Sequence, residues 1–188
     1  MSGQPISELN NAIMSFKDDL ISDHLAMKRV EVAVITFGPV KIENEFHTAP
    51  NFYPNKFEAN NDTPMGEAII KGINMLDKRK REYKENGIPF YRPWIFLITD
   101  GAPTDAWDNA AMMINEGEKH KSFAFFAVGV QNANMSILKE ISLREPLKLQ
   151  GLKFRELFLW LSNSMKSVSR SSPEDQLFLP PPSGWAEL

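Results

Sequence analysis

The sequence predicts an α/β domain built on a mostly parallel, doubly wound sheet with an antiparallel hairpin at one edge. Three observations carry this. Short apolar runs (Val32 to Phe37, Trp94 to Ile98, Phe123 to Val130) alternate with segments of helical periodicity. The run Trp94 to Ile98 holds no polar residue, as a strand buried on both faces would require. A Gly38-Pro39 turn separates the first run from a stretch of regular alternation, which reads as a hairpin partner at a sheet edge.

In chain order, Ile6, Leu9, Ile13, Phe16 and Leu20 recur at steps of three and four and predict a helix from about Pro5 to Ala26. A helix that opens an α/β domain usually follows a strand, and here none precedes it. Arg29 to Gly38 is the first strand. In the second, Val40, Ile42, Asn44 and Phe46 alternate with Lys41, Glu43, Glu45 and His47. Residues 49 to 62 carry two prolines and four asparagines and read as loop. Thr63-Pro64 then opens a helix, with Thr63 as the expected N-cap, Pro64 at its first position and Ala68, Ile69, Ile73 and Leu76 on its apolar side. Strand Trp94 to Thr99 follows. Thr104 or Asp105 is the expected cap of the helix after it, which ends at His120. Phe123 to Val130 is a strand, Met135 to Ile141 a short helix, Leu147 to Leu149 a short strand and Phe154 to Val168 a closing amphipathic helix. The layout is Rossmann-like, over residues 1–169. Residues 170–188 form a proline-rich tail whose Leu177, Phe178, Leu179 and Trp185 either fold back on the domain or dock on a partner.

Composition narrows the function. The chain has 188 residues, 43% hydrophobic and 24% charged, enough for one full domain with a real core. A formal charge of -3 and the lack of a broad basic face argue against nucleic-acid binding. The basic run Lys78 to Arg81 is interrupted by Glu82 and Glu85 and reads as a solvated helix face. With no cysteine, thiolate metal sites and thiol nucleophiles are excluded. No run approaches the roughly 18 apolar residues of a membrane span, and the first twenty residues lack a signal-peptide layout, so a cytoplasmic protein with no membrane contact is expected.

Asp100 is the candidate functional residue. It ends a central strand, and open α/β sheets bind ligands at the carboxyl ends of their strands. His24, His47 and His120 are scattered and expected at the surface. No nucleophile, base and acid stand in a catalytic register. Asp105, Asp108 and Glu67 read as first-turn acids favoured by helix dipoles, and Trp107 as an aromatic beside the site.

Three pieces then line up: Thr63-Pro64-Met65-Gly66-Glu67-Ala68, the stretch Leu97-Ile98-Thr99-Asp100-Gly101-Ala102-Pro103-Thr104-Asp105, and Phe126-Ala127-Val128-Gly129-Val130. Together they resemble the von Willebrand factor A (VWA) domain, and more narrowly the bacterial tellurium-resistance-associated, TerY-like group. The resemblance implies a non-enzymatic protein-interaction module. It also implies a metal-ion-dependent adhesion site holding Mg²⁺, with an open position for an acidic side chain of a partner protein. On that pattern Thr63 and Asp100 are the metal ligands. Mg²⁺ takes hard oxygen donors in an octahedron and keeps several waters, which suits a hydroxyl and a carboxylate.

One part of the pattern is absent. The family's Asp-x-Ser-x-Ser motif, which follows its central first strand, would fall immediately before Met1. Without that strand a gap of roughly 9 to 10 Å separates its two neighbours, and each unmet buried backbone group costs about 1 to 3 kcal/mol. Three outcomes are open. The native protein starts upstream, the flanking strands close on each other, or another chain supplies a strand in a strand-complemented oligomer. Function divides likewise: an interaction module with an incomplete Mg²⁺ site in tellurium resistance or stress response, a metal-free scaffold, or a metal-dependent hydrolase or phosphotransfer domain using Asp100.

Overall fold

A computed structural model describes residues 1–60, 62–173 and 180–187. Two hydrogen-bonded sheets carry the fold. The first pairs β1 (Glu31–Thr36) antiparallel with β2 (Lys41–Thr48), with irregular register around Val34. The second runs β3-β4-β5-β6, where β3 (Trp94–Thr99), β4 (Ala124–Gly129) and β5 (Leu147–Leu149) are parallel and β6 (Ala186–Glu187) joins antiparallel. The expected mixed architecture is present, and the expected edge hairpin is β1–β2. Direct closure of β1 on β3 does not occur, since the two strands belong to separate sheets.

Alternation along β3 divides the interior into two cores. Trp94, Phe96 and Ile98 face α1 (Gln4–Ile21) and α6 (Phe154–Ser169), where Leu9, Ile13, Phe16, Leu157 and Phe158 are buried. Ile95 and Leu97 face α3 (Met65–Glu85), α4 (Asp108–Lys119) and α5 (Met135–Ile141), with Ile69, Ile73, Ile114 and Leu138. β4 is the strand most fully enclosed. β3 is less buried than its apolar run predicts: only Leu97 and Thr99 are buried, and all six residues of β1 are half-exposed. Both strands border one slot of about 950 Å³, with Val32 and Val34 on one side and Phe96 and Ile98 on the other.

The first helix stops at Ile21, short of the expected Ala26. The reason is local. Asp23 accepts hydrogen bonds from the amides of Leu25 (3.1 Å) and Ala26 (2.9 Å) and so starts a separate short helix, α2 (Ala26–Arg29). Within the 49–62 loop, Asn10 of α1 clasps Phe57 in both directions, Nδ2 to its carbonyl at 3.0 Å and Oδ1 from its amide at 2.8 Å. That pins a segment without regular structure.

The end of the chain folds back. Trp185 is buried against Trp160 of α6 (centroids 5.5 Å), and its carbonyl accepts from Gln150 (2.8 Å) beside the β5–β6 pairing. Leu177, Phe178 and Leu179 lie outside the described residues. Among the described residues no helix is long and apolar enough to cross a membrane.

Glu118 of α4 locks the second sheet. Its carboxylate, 3% exposed, receives Arg144 (2.6 Å), Arg92 (2.7 Å) and the Phe125 amide of β4 (2.7 Å). Burial raises its pKa, but the hydrogen bonds from Arg144 and Phe125 and the two guanidinium charges outweigh it and hold the carboxyl below its ordinary value of 4.5. The depressed value means the stabilisation is full above 4.5 and is lost as pH falls through the lower folded-state pKa. Glu118→Gln is therefore expected to flatten the acid limb of a pH–Tm profile below that point. Glu118→Ala should destabilise at neutral pH towards the lower end of the about 3–5 kcal/mol range for a broken buried pair, since both arginines keep a third or more of their surface in water. Urea titration measures it.

Candidate functional site at the carboxyl ends of β1 and β3

Four backbone segments meet where β1 and β3 end. β1 exits through Gly38, whose φ of 108° only glycine adopts readily and whose missing side chain leaves room for the Asp62 carbonyl. Thr63 then crosses to the loop after β3. A Cβ on Gly101 would stand 3.3 Å from Thr63 Oγ1, so the hydroxyl lies directly over the Asp100-Gly101 turn. Thr99 organises that turn by accepting from the Gly101 amide through its side chain (3.3 Å), while its carbonyl accepts from Val130 (2.8 Å). The structure thus brings Thr63 and Asp100, the two expected ligands, to the same place.

The loops are sewn together by backbone groups. Thr63 donates its amide to Thr104 Oγ1 (3.1 Å) and accepts from the Thr104 amide (2.9 Å). Thr63 makes no side-chain cap to the helix after it, against expectation. The capping group is Asp105, whose Oδ1 and Oδ2 accept from the amides of Gly66 (3.0 Å) and Glu67 (2.8 Å). The expected role of Thr104 or Asp105 is to cap the helix that follows them. That helix begins only at Asp108, with no side-chain cap, and the carboxylate turns instead to the free amides of α3. Gly66 permits the contact: a Cβ there would lie 2.3 Å from the Ala106 carbonyl. Trp107 packs against the α3–α4 core rather than standing free.

Asp100 is about one-third exposed, and its carboxylate forms an ion pair with the Met1 α-ammonium. Sequence reasoning could not foresee this contact. A monovalent cation already stands on the carboxylate a metal would use. Among the described residues no three His, Asp or Glu side chains converge on a point. The donors present, one hydroxyl and one carboxylate, do not make a Mg²⁺ site by themselves. Asp108 lies in the first turn of α4 and is exposed, as are Glu67, His24, His47 and His120.

The double clasp by Asp105 has a measurable weight. Asp105→Ala is expected to cost about 1–2 kcal/mol, the upper part of the range for a lost helix cap. It should also speed amide exchange at Gly66 and Glu67 while leaving β4 protected, which hydrogen-exchange NMR resolves residue by residue.

Comparison with curated proteins returns no match. The family model for the von Willebrand factor type A domain matches residues 1–150, a span that contains Thr63, Gly66, Asp100 and Asp105. The parallel sheet between two helical layers, and the loop cluster at its carboxyl edge, agree with that match. The chain belongs to the von Willebrand factor type A domain family.

Proposed function

We propose that the chain binds a partner protein through the loop cluster around Thr63 and Asp100. Domains of this type are generally non-enzymatic interaction modules. The observation that supports this face is the sewing of two loops, 63–67 and 99–105, into one rigid surface at the end of the sheet. A rigid surface loses little conformational entropy on binding. An acidic partner side chain reaching a cation held near Asp100 and Thr63 is the finer form of this reading. It needs oxygen donors beyond these two residues. The resemblance to the TerY-like group supports a cytoplasmic partner in tellurium resistance or stress response.

The ion pair between Met1 and Asp100 favours a second form, a metal-free scaffold in which the ammonium takes the cation's place. Mn²⁺ titration followed by NMR separates the two. In the module reading, millimolar Mn²⁺ broadens the amides of residues 63–67 and 100–105 and Asp100→Asn abolishes the effect. Broadening elsewhere, or none, leaves the scaffold.

A further inference from the structure

β5 lies on the side of the second sheet away from the slot, and residues 180–187 cover its outer edge. Ala186 pairs with Leu149 and Glu187 with Lys148, and the Gln150 amide donates to the Trp185 carbonyl (2.8 Å). Three side chains hold the same segment from the domain side. Trp160 of α6 donates its indole N–H to the Pro180 carbonyl (3.1 Å), Lys153 donates to the Gly184 carbonyl (3.1 Å), and Lys148 pairs with the Glu187 carboxylate (3.0 Å). The Trp185 ring lies tilted against Trp160, at 58° between planes, and enters the core that holds Val128, Leu149 and Leu157.

The segment is held as a bound peptide is held. Trp185 and Ala186 are buried, while Pro180, Pro181, Ser183, Gly184 and Glu187 are exposed. One aromatic anchor in an apolar pocket, ringed by exposed backbone hydrogen bonds, is a common mode of peptide recognition. The residue types suit it. Pro180-Pro181-Pro182 favours an extended polyproline II backbone, whose carbonyls point outward for a donor such as the Trp160 indole. Gly184 takes a φ of 91°, and a Cβ there would meet nothing within 4 Å, so the glycine serves the turn and not the packing. The Ala186 amide closes that turn on the Pro182 carbonyl (3.3 Å). The fit fails at one atom. Trp185 Nε1 is buried and has no hydrogen-bond acceptor among the described residues. A buried donor left unmet works against docking, so the segment sits less firmly than its shape allows.

The geometry points to a peptide-binding groove along β5 and the start of α6, in which residues 180–187 are an intramolecular ligand. A partner protein displaces them with a segment of the same chemistry: prolines for Trp160, a glycine turn, a tryptophan for the pocket and an acid for Lys148. Residues 170–179 tether the segment to the end of α6, so it competes from a high effective concentration and keeps the groove closed until such a partner arrives. A second copy offers a segment already docked on its own groove, and crossing over gains no contact. A foreign segment that is free before binding gains every contact. This inference is independent of the face around Thr63 and Asp100 and of any cation.

The test follows a fluorescently labelled peptide of residues 180–187 by anisotropy, using the full chain. Three proteins are compared: the unmodified chain, Trp185→Ala, and a chain with a protease recognition sequence inside 174–179 that is cut after folding. Trp185→Ala empties the groove, and the cut chain does so without a core substitution; if Trp185→Ala does not fold, the cut chain decides alone. The cut chain is expected to release its segment on dilution and to bind the labelled peptide at least about tenfold more tightly than the uncut chain, because the tethered competitor is gone. Trp185→Ala is expected to bind it likewise, with Tm rising as peptide is added. A peptide with alanine in place of the tryptophan should not bind, and Trp160→Phe in the cut chain should weaken binding. Four results would overturn the assignment. They are a cut segment that stays bound at nanomolar dilution, unfolding of the cut chain once the segment leaves, equal binding of the alanine peptide, and no binding to the cut chain. Dimers of the unmodified chain that Trp185→Ala abolishes would overturn it too, by making the occupant a second copy.

Discussion

Everything in this fold is arranged around two parallel strands that face each other without a hydrogen bond between them. β1 and β3 are held apart by contacts at their ends, Arg29 with Tyr91 and Ser169 at one and the Gly38, Asp62, Thr63 and Gly101 contacts at the other. Side chains on α1 and α3 cover the interval from either face. Half-burial of β1 and of most of β3 follows from it, and so does the division into two sheets. The second sheet carries the more enclosed packing, with Phe96 stacked on Phe126 at 4.7 Å and Glu118 tying α4 to β3, β4 and the approach to β5.

The same spacing positions the functional loops. Because β1 and β3 end at one level, the loops that leave them can be joined across the top of the slot by short contacts. Thr63 and Thr104 exchange backbone and hydroxyl hydrogen bonds, and Asp105 fixes the first turn of α3 from a neighbouring loop. The surface presented to a partner is thus set by backbone geometry more than by flexible side chains.

Much of this was legible in the sequence. The apolar run ending in Thr99-Asp100-Gly101, the helical spacing after Pro64 and the alternation from Lys41 to Thr48 each act within a few residues, so periodicity reveals them. What escaped is long-range. Asp105 serves amides 38 and 39 residues earlier in the chain, and nothing local distinguishes it from a cap of its own helix. Arg79 sits in a run read as a solvated face, yet it reaches Glu31, 48 residues away. The end of the first helix was misplaced because Asp23 can continue a helix or begin one, and only its bonds to Leu25 and Ala26 decide. The burial of Trp185 depends on a β5 edge that composition alone does not announce.

The pairing of Met1 with Asp100 links covalent connectivity to local charge. A free α-amine carries one positive charge beside this carboxylate; the same nitrogen in a peptide bond carries none. Joining any residue to Met1 would therefore change a balanced pair into a net negative group at the mouth of the slot. Chemistry at a single nitrogen would decide whether this end of the sheet is neutral, or negative enough both to repel an acid and to attract a cation.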